Sequence, residues 1–261
     1  MKASKLLTVL LMSVIGVAYA ADNSIYIDQA GDNATVTILQ DGAGNRVRAI
    51  QGVGTSNTTP AVIKGDGISV DVQQIGSGNV LNLGIDTAIA NGASATSVYY
   101  KVTGNNATGT INLNNAGVSN GNSSTTLSID QTGNGAIADI DILGANNSLT
   151  VIQAGGANNK ITAAINAANT TSTVNQTLGG GNETTFNLTG DKGTVDVVTV
   201  GATNIIGVTQ SGGGTNGHYA KVDLNGSGNN VTISQTSVAV DSITNIRSVG
   251  SGNTFSVIQR N

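Results

Sequence analysis

Side-chain amides are the polar groups that this sequence repeats at fixed spacing. Gln29, Gln40 and Gln51 stand eleven residues apart, and Gln74, Gln131, Gln153, Gln176, Gln210, Gln235 and Gln259 follow. With Gln40 set aside as a half-period, most gaps run from 22 to 25. The gap of 57 after Gln74 reads as two periods plus insertions, and the gap of 34 after Gln176 as one period plus an insertion. Six glutamines close the unit Asn-x-h-x-h-x-Gln, where h is apolar or Ala; these units open at Asn23, Asn45, Asn147, Asn204, Asn229 and Asn253. The windows ending at Gln40, Gln74, Gln131 and Gln176 keep the alternation without the Asn. An amide donates and accepts hydrogen bonds at once but does not titrate near neutral pH. A periodic set of amides therefore points to a hydrogen-bonded ladder and not to proton transfer.

Other chemistries find little support. His218 is the sole histidine, so any Ser-His-Asp triad would need it; within NGHYAK (216–221) it reads as an exposed turn residue. There is no cysteine to act as nucleophile or metal ligand. The stretch 179–193 faintly resembles Gly/Asp calcium repeats, but Asp191 stands without the recurring partners such repeats need. No G-x-x-x-x-G-K-[ST] loop occurs. Ice-binding solenoids use flat Thr-x-Thr arrays, and pairs such as Thr35/Thr37 are not expected to recur in register. Carboxylates are not grouped on one outer face, as they are in enzymes of the parallel β-helix kind. The chain is read as a non-enzyme without cofactor or metal.

The elements that would hold the amides are short strands. Period-two alternation places the h residues, Asn and Gln on one face and residues such as Ser24, Asp28, Asp139, Lys221 and Asp223 on the other. Second strands with the same alternation lie between the Gln strands, at 80–85, 110–114, 138–144, 185–190 and 220–226. Turn chemistry separates them, with Gly31, Gly42, Gly76, Gly133, Gly155 and Gly212 following the glutamines at positions suited to positive φ. Tyr26, Tyr99, Tyr100 and Tyr219 fall at outward or turn positions. The fold class is all-β: stacked strand-turn-strand repeats forming a two-sheet, cross-β, amyloid-like β-solenoid of about ten turns, each spanning one glutamine period.

Glutamine on the apolar face requires an explanation, because an unpaired buried amide costs about 1–3 kcal/mol. Stacking the repeats in register at about 4.8 Å places Gln on Gln, and each carbonyl accepts from its neighbour's NH2. A single period buries too few aliphatic side chains to offset its ordering entropy, so stability comes from neighbouring periods. The first unit opens at Asn23 and the last closes at Gln259, with no polar capping repeat outside them. Open strand edges at both ends would template pairing with further copies.

Residues 1–20 are set apart. Lys2 and Lys5 precede an apolar run from Leu6 to Val17 and a small-x-small site at Ala18–Ala20, the signature of a secretory signal peptide. The domain expected after it spans 21–261, with 85–124 and 177–203 as degenerate or inserted repeats. Removing the signal segment leaves nine basic against fifteen acidic residues, a net charge of −6, which opposes nucleic-acid binding. No later stretch is apolar enough to span a membrane. Hydrophobic residues make up 38% of the chain and charged residues 10%, which separates it from disordered chains.

These residues resemble the curlin repeat of bacterial curli, whose pattern is roughly Ser-x5-Gln-x-Gly-x-x-Asn-x-Ala-x3-Gln. The run from Gln40 through Gly42 and Asn45 to Gln51 follows it, with Val47 in place of the Ala. Gln29-Ala-Gly31-Asp-Asn33, Gln74-Ile-Gly76-Ser-Gly78-Asn79 and Gln153-Ala-Gly155-Gly-Ala-Asn158 match its first half. The likeness is strong over 23–84, 125–165 and 204–261. Second-strand glutamines are mostly replaced, as at Ile142 and Ala164. The resemblance implies a secreted structural subunit of cell-surface amyloid fibres in biofilm matrix and adhesion. Its partners would be copies of itself, other curlin-like subunits and an outer-membrane export system. A monomeric secreted β-solenoid adhesin is the alternative.

Overall fold

The computed structural model describes residues 23–25, 27–29, 35–48, 61–64, 68–86, 95–112, 124–142, 147–165, 169–213 and 215–260. The signal segment, Tyr26, Gly31 and Gln51 lie outside the described residues. Within them there is no helix and there are twenty-one strands. The first nine are β1 (Ser24–Ile25), β2 (Ile27–Gln29), β3 (Thr35–Thr37), β4 (Arg46–Arg48), β5 (Ala61–Lys64), β6 (Ile68–Asp71), β7 (Val80–Asp86), β8 (Ala95–Thr103) and β9 (Thr108–Asn112). Next come β10 (Ser124–Thr132), β11 (Ile137–Ile142), β12 (Ser148–Ala154), β13 (Lys160–Ile165), β14 (Thr171–Thr177) and β15 (Glu183–Leu188). The last are β16 (Thr194–Val200), β17 (Ile205–Gly212), β18 (Tyr219–Asn225), β19 (Asn230–Ser237), β20 (Ile243–Val249) and β21 (Thr254–Arg260).

These strands make two parallel sheets. The first runs β1-β4-β7-β9-β11-β13-β15-β17-β19-β21, and the second runs β20-β18-β16-β14-β12-β10-β8-β6-β3. The chain crosses from one sheet to the other at every turn, which makes a β-solenoid. Its most regular part, β10 to β21, has twelve strands at two per turn and so about six turns. The sequence separation of stacked partners there is 22 for Gln131 and Gln153 and 25 for Gln210 and Gln235. β4 and β5 share one level: β7 pairs with β4 through Val80–Asn82 and with β5 through Gly84–Asp86. The 177–203 stretch, weak as a repeat in sequence, supplies β15 and β16 in register with their neighbours.

The core lies between the sheets. Alternate residues of each strand point inward, and Leu127, Ile129, Leu149, Val151, Ile161, Phe186, Val197, Val222 and Ile233 are fully buried. β-Branched and aliphatic side chains suit this pleated, closely stacked surface. Each level covers the next, so no single turn carries the core.

Two expectations are corrected here. Tyr100 is not outward: it is fully buried, and it stacks below Ile129 in the neighbouring level. Room for its ring comes from Gly109, where a Cβ would lie 2.6 Å from Tyr100 Cε2 and 2.9 Å from its hydroxyl. His218 is not an exposed turn residue: it is buried, with Nδ1 accepting from the Ser242 N–H at 3.1 Å and Nε2 3.2 Å from the Ser211 carbonyl. With Nδ1 accepting, Nε2 is the ring nitrogen placed to donate to the Ser211 carbonyl. The Thr35/Thr37 pair does not recur, since its register partners are Ser69 and Asp71, although other outward hydroxyls stack, with Thr126/Ser128, Ser148/Thr150 and Thr171/Thr173 on three successive levels of the second sheet.

The Tyr100 hydroxyl has no hydrogen-bond partner, and burial pushes its pKa well above the ordinary phenol value of 10.0. Tyr100→Phe removes the orphaned group and is expected to raise stability by about 1 kcal/mol. Because the folded pKa lies above the unfolded one, the stability linked to the protonated phenol is complete below pH 10.0 and lost as pH rises beyond it. Urea titrations of both proteins at pH 8 and pH 11 check this: the variant should lose less stability between the two.

Candidate functional site: amide ladders and uncovered strand edges

The asparagine ladder sits where each turn enters the first sheet. Asn45 N–H donates to Asn23 Oδ1 at 2.8 Å and Asn79 N–H to Asn45 Oδ1 at 3.0 Å. After Ala107 and Ala136 the ladder resumes at Asn159 and runs through Asn182, Asn204, Asn229 and Asn253, each backbone N–H donating at 3.0 Å to the preceding Oδ1. The side-chain NH2 bridges both ways. Asn204 Nδ2 donates back to Asn182 Oδ1 at 3.0 Å and forward to the Gly226 carbonyl at 2.9 Å. Asn45, Asn79 and Asn182 make the same forward bond to Gly76, Gly104 and Gly201. Each Asn thus satisfies turn backbone groups that no strand pairing reaches.

Six asparagines were expected in this column, and five are there. Asn147 is buried at the start of β12 in the second sheet, where Thr170 Oγ1 donates to its carbonyl. Asn79, Asn159 and Asn182 are additional members. Their signal is Gly-x-x-Asn, shared by Gly42–Asn45, Gly76–Asn79, Gly156–Asn159, Gly179–Asn182, Gly201–Asn204, Gly226–Asn229 and Gly250–Asn253.

The glutamines form two ladders on opposite sheets instead of one column. In the second sheet Gln131 Nε2 donates to Gln153 Oε1 at 2.7 Å, and Gln153 Nε2 to Gln176 Oε1 at 3.2 Å. In the first sheet Gln210 Nε2 donates to Gln235 Oε1 at 2.9 Å, and Gln235 Nε2 to Gln259 Oε1 at 2.9 Å. The stretch from Gln176 to Gln210 spans a turn and a half, which carries the amide across the core. Gln176 Nε2 there meets Thr184 Oγ1 of β15 at 2.8 Å. Both ladders have one polarity, with each NH2 pointing toward the C-terminal level. Each also opens on an orphan: Val102 precedes Gln131 and Leu188 precedes Gln210, and Gln131 Oε1 and Gln210 Oε1 have no partner. Gln74 is buried on the second-sheet side with its amide 3.4 Å from the Arg46 carbonyl, and Gln40, one level earlier, is partly buried. Gln29 lies in β2.

Glycine is required where successive turns touch. Gly42, Gly76, Gly133, Gly155 and Gly212 all have φ between +81° and +149°. A Cβ on Gly42 would overlap the Gly76 carbonyl oxygen, and one on Gly76 the Gly104 carbonyl oxygen. Outside, Lys160–Glu183 at 2.9 Å and Lys221–Asp196 at 3.0 Å pair adjacent levels. The Asp196 hydrogen bond and charge raise the Lys221 pKa, but such exposed pairs add little stability.

At its ends the solenoid leaves inward side chains uncovered. Ile25 of β1 is 47% exposed, whereas Val47, its partner on β4, is 1% exposed. Val36, Ile38, Phe255 and Val257 are partly buried against the core, the first two at β3 and the last two on β21. Among the described residues no group of three His, Cys, Asp or Glu side chains could hold a metal ion. The chain matches no protein-family model, no curated protein and no solved structure.

Proposed function

We propose that the chain is a secreted structural subunit of curli-like functional amyloid fibres, assembling on itself at the cell surface for biofilm matrix and adhesion. The observation that carries this reading is the pair of ends of the described stack, where inward apolar side chains and ladder amides are partly exposed while their counterparts on inner levels are buried. Monomeric solenoids cover these positions, and open parallel edges template further strands. The curlin-like spacing of the glutamines supports the same reading. With the segments before β10 included, the subunit has about ten turns, or about 48 Å of axial length at the usual strand spacing. The signal segment would direct export, and an outer-membrane export system and other curlin-like subunits are the remaining partners of this reading.

The test is assembly of residues 21–261 after dilution from denaturant, followed by thioflavin fluorescence and electron microscopy. Fibres are expected after a lag that preformed seed shortens. A β-rich monomer that seed never recruits would overturn fibre assembly and favour a monomeric adhesin.

A further inference from the structure

We infer that neighbouring copies in such a fibre are related by a half-turn about the long axis, so that the first sheet of one copy continues as the second sheet of the next. This rests on the self-assembly reading and concerns the geometry of the joint.

The inference starts from topology. Along the chain, strands alternate between the sheets, yet β1 and β21 both belong to the first sheet. Stacking a second copy without rotation sets its β1 directly on β21. One level of the second sheet then stays empty between β20 and the incoming β3, with a row of unpaired N–H and C=O groups on each side. A half-turn removes the gap. The incoming β1 and β2 lie on β20, the incoming β3 lies on β21, and the alternation continues.

Side chains at the joint fit the rotated arrangement. Counted back from the glutamine that ends each unit, Gln259 aligns with Gln40, Val257 with Ile38, and Phe255 with Val36. These four apolar residues are the partly buried ones that pack on the core from β21 and from β3 with the residue just after it. They would cover each other. On the outer face the same alignment sets Ile258, 58% exposed, against Leu39, 46% exposed. On the neighbouring strand, Asp28 takes the register position above Arg247, whose Nε lies 4.0 Å from Asp223 one level below. Without rotation Asp28 would instead take the register position above Ile258. The alignment also places two amides in register: Gln259, whose Nε2 donates to the Ile243 carbonyl at 3.2 Å, and Gln40, whose buried Nε2 has no partner.

The unrotated joint has its own points in favour, since it would set Asn253 on Asn23 and Gln259 on Gln29, extending both amide ladders, with Phe255 and Val257 in register with Ile25 and Ile27. Those gains all lie on one strand of the joint. The empty level exposes the full edges of β20 and β3 and leaves Val36 and Ile38 uncovered.

Cysteine cross-linking decides between the two joints, and the chain has no cysteine of its own. Thr254 and Thr35 are adjacent across a rotated joint, whereas Thr254 and Ser24 are adjacent across an unrotated one. Adjacent parallel strands bring such positions within the Cα separation of about 4.4–6.8 Å that a disulfide spans. The chain from Ala21 to Asn261, which contains every described strand, would carry Thr254→Cys with either Thr35→Cys or Ser24→Cys. Each variant would be assembled, mildly oxidised, dissolved and run on a non-reducing gel. Covalent oligomers from the first pair alone are expected. Oligomers from the second pair alone, or from both equally, overturn the inference. A second readout leaves the ends unaltered: Thr185→Cys, outward on the first sheet, labelled with maleimide gold. Labels on alternating sides of the fibre support the half-turn, and labels along one side overturn it even if neither pair cross-links. Absence of fibres in the unsubstituted protein overturns self-assembly itself.

Discussion

Gly226→Ala is expected to disrupt the C-terminal levels, at a cost of more than about 4 kcal/mol, whereas Gly228→Ala two residues later costs about 1–2 kcal/mol. Both glycines have positive φ, +148° and +68°. They differ in what lies beyond the missing side chain. A Cβ on Gly226 would overlap the Gly250 carbonyl oxygen of the next turn, while one on Gly228 meets nothing within 4 Å. The obstacle at Gly226 is backbone, so no rotamer change relieves it. Separating the two turns would break Gly250 N–H to Asn225 O at 2.9 Å and Gly252 N–H to Ser227 O at 3.0 Å. It would also pull the Gly226 carbonyl from Asn204 Nδ2. Urea unfolding followed by far-ultraviolet circular dichroism measures both. Similar midpoints for the two variants would refute close contact between successive turns.

The second large effect concerns the glutamines. Gln153→Ala is expected to cost about 2–4 kcal/mol more than Gln131→Ala, although both side chains are fully buried and equal in volume. Gln153 sits mid-ladder, so its removal strands Gln131 Nε2 and Gln176 Oε1. Gln131 opens the ladder, and its own Oε1 already lacks a partner. Removing it strands Gln153 Oε1 but deletes an existing orphan, so the count of unpaired groups stays level. Equal costs in the same urea titration would mean that side-chain volume matters and amide pairing does not.

The same residues show how far the sequence could be read. Alternation in windows such as Ser148–Ala154 identified strands and their inward faces, because side-chain direction along a strand is a local property. The glycines that follow the glutamines marked where strands end, because positive φ and close approach exclude other residues. Sheet membership was not legible. Gln176 and Gln210 both end an alternating window, and the long gap between them reads equally as an inserted loop or as a turn and a half. Only pairing, Gln176 with Thr199 and Gln210 with Leu188, places them on opposite sheets. Asn147 was misplaced in the ladder for the same reason.

Tyr100 and His218 failed differently, since their burial depends on what other levels leave open. Tyr100 turns inward because Gly109, nine residues on and in the other sheet, leaves a space as large as a ring. His218 is buried because Ser242, one turn later, offers its N–H to the ring. The sequence by itself determined an all-β chain of alternating strands, glycine turns and inward amides, since each of these is set by a residue and its immediate neighbours. The tertiary structure alone decided which sheet each strand joins, where the amide ladders break and which side chains fill the core, because those depend on contacts between residues a full turn apart.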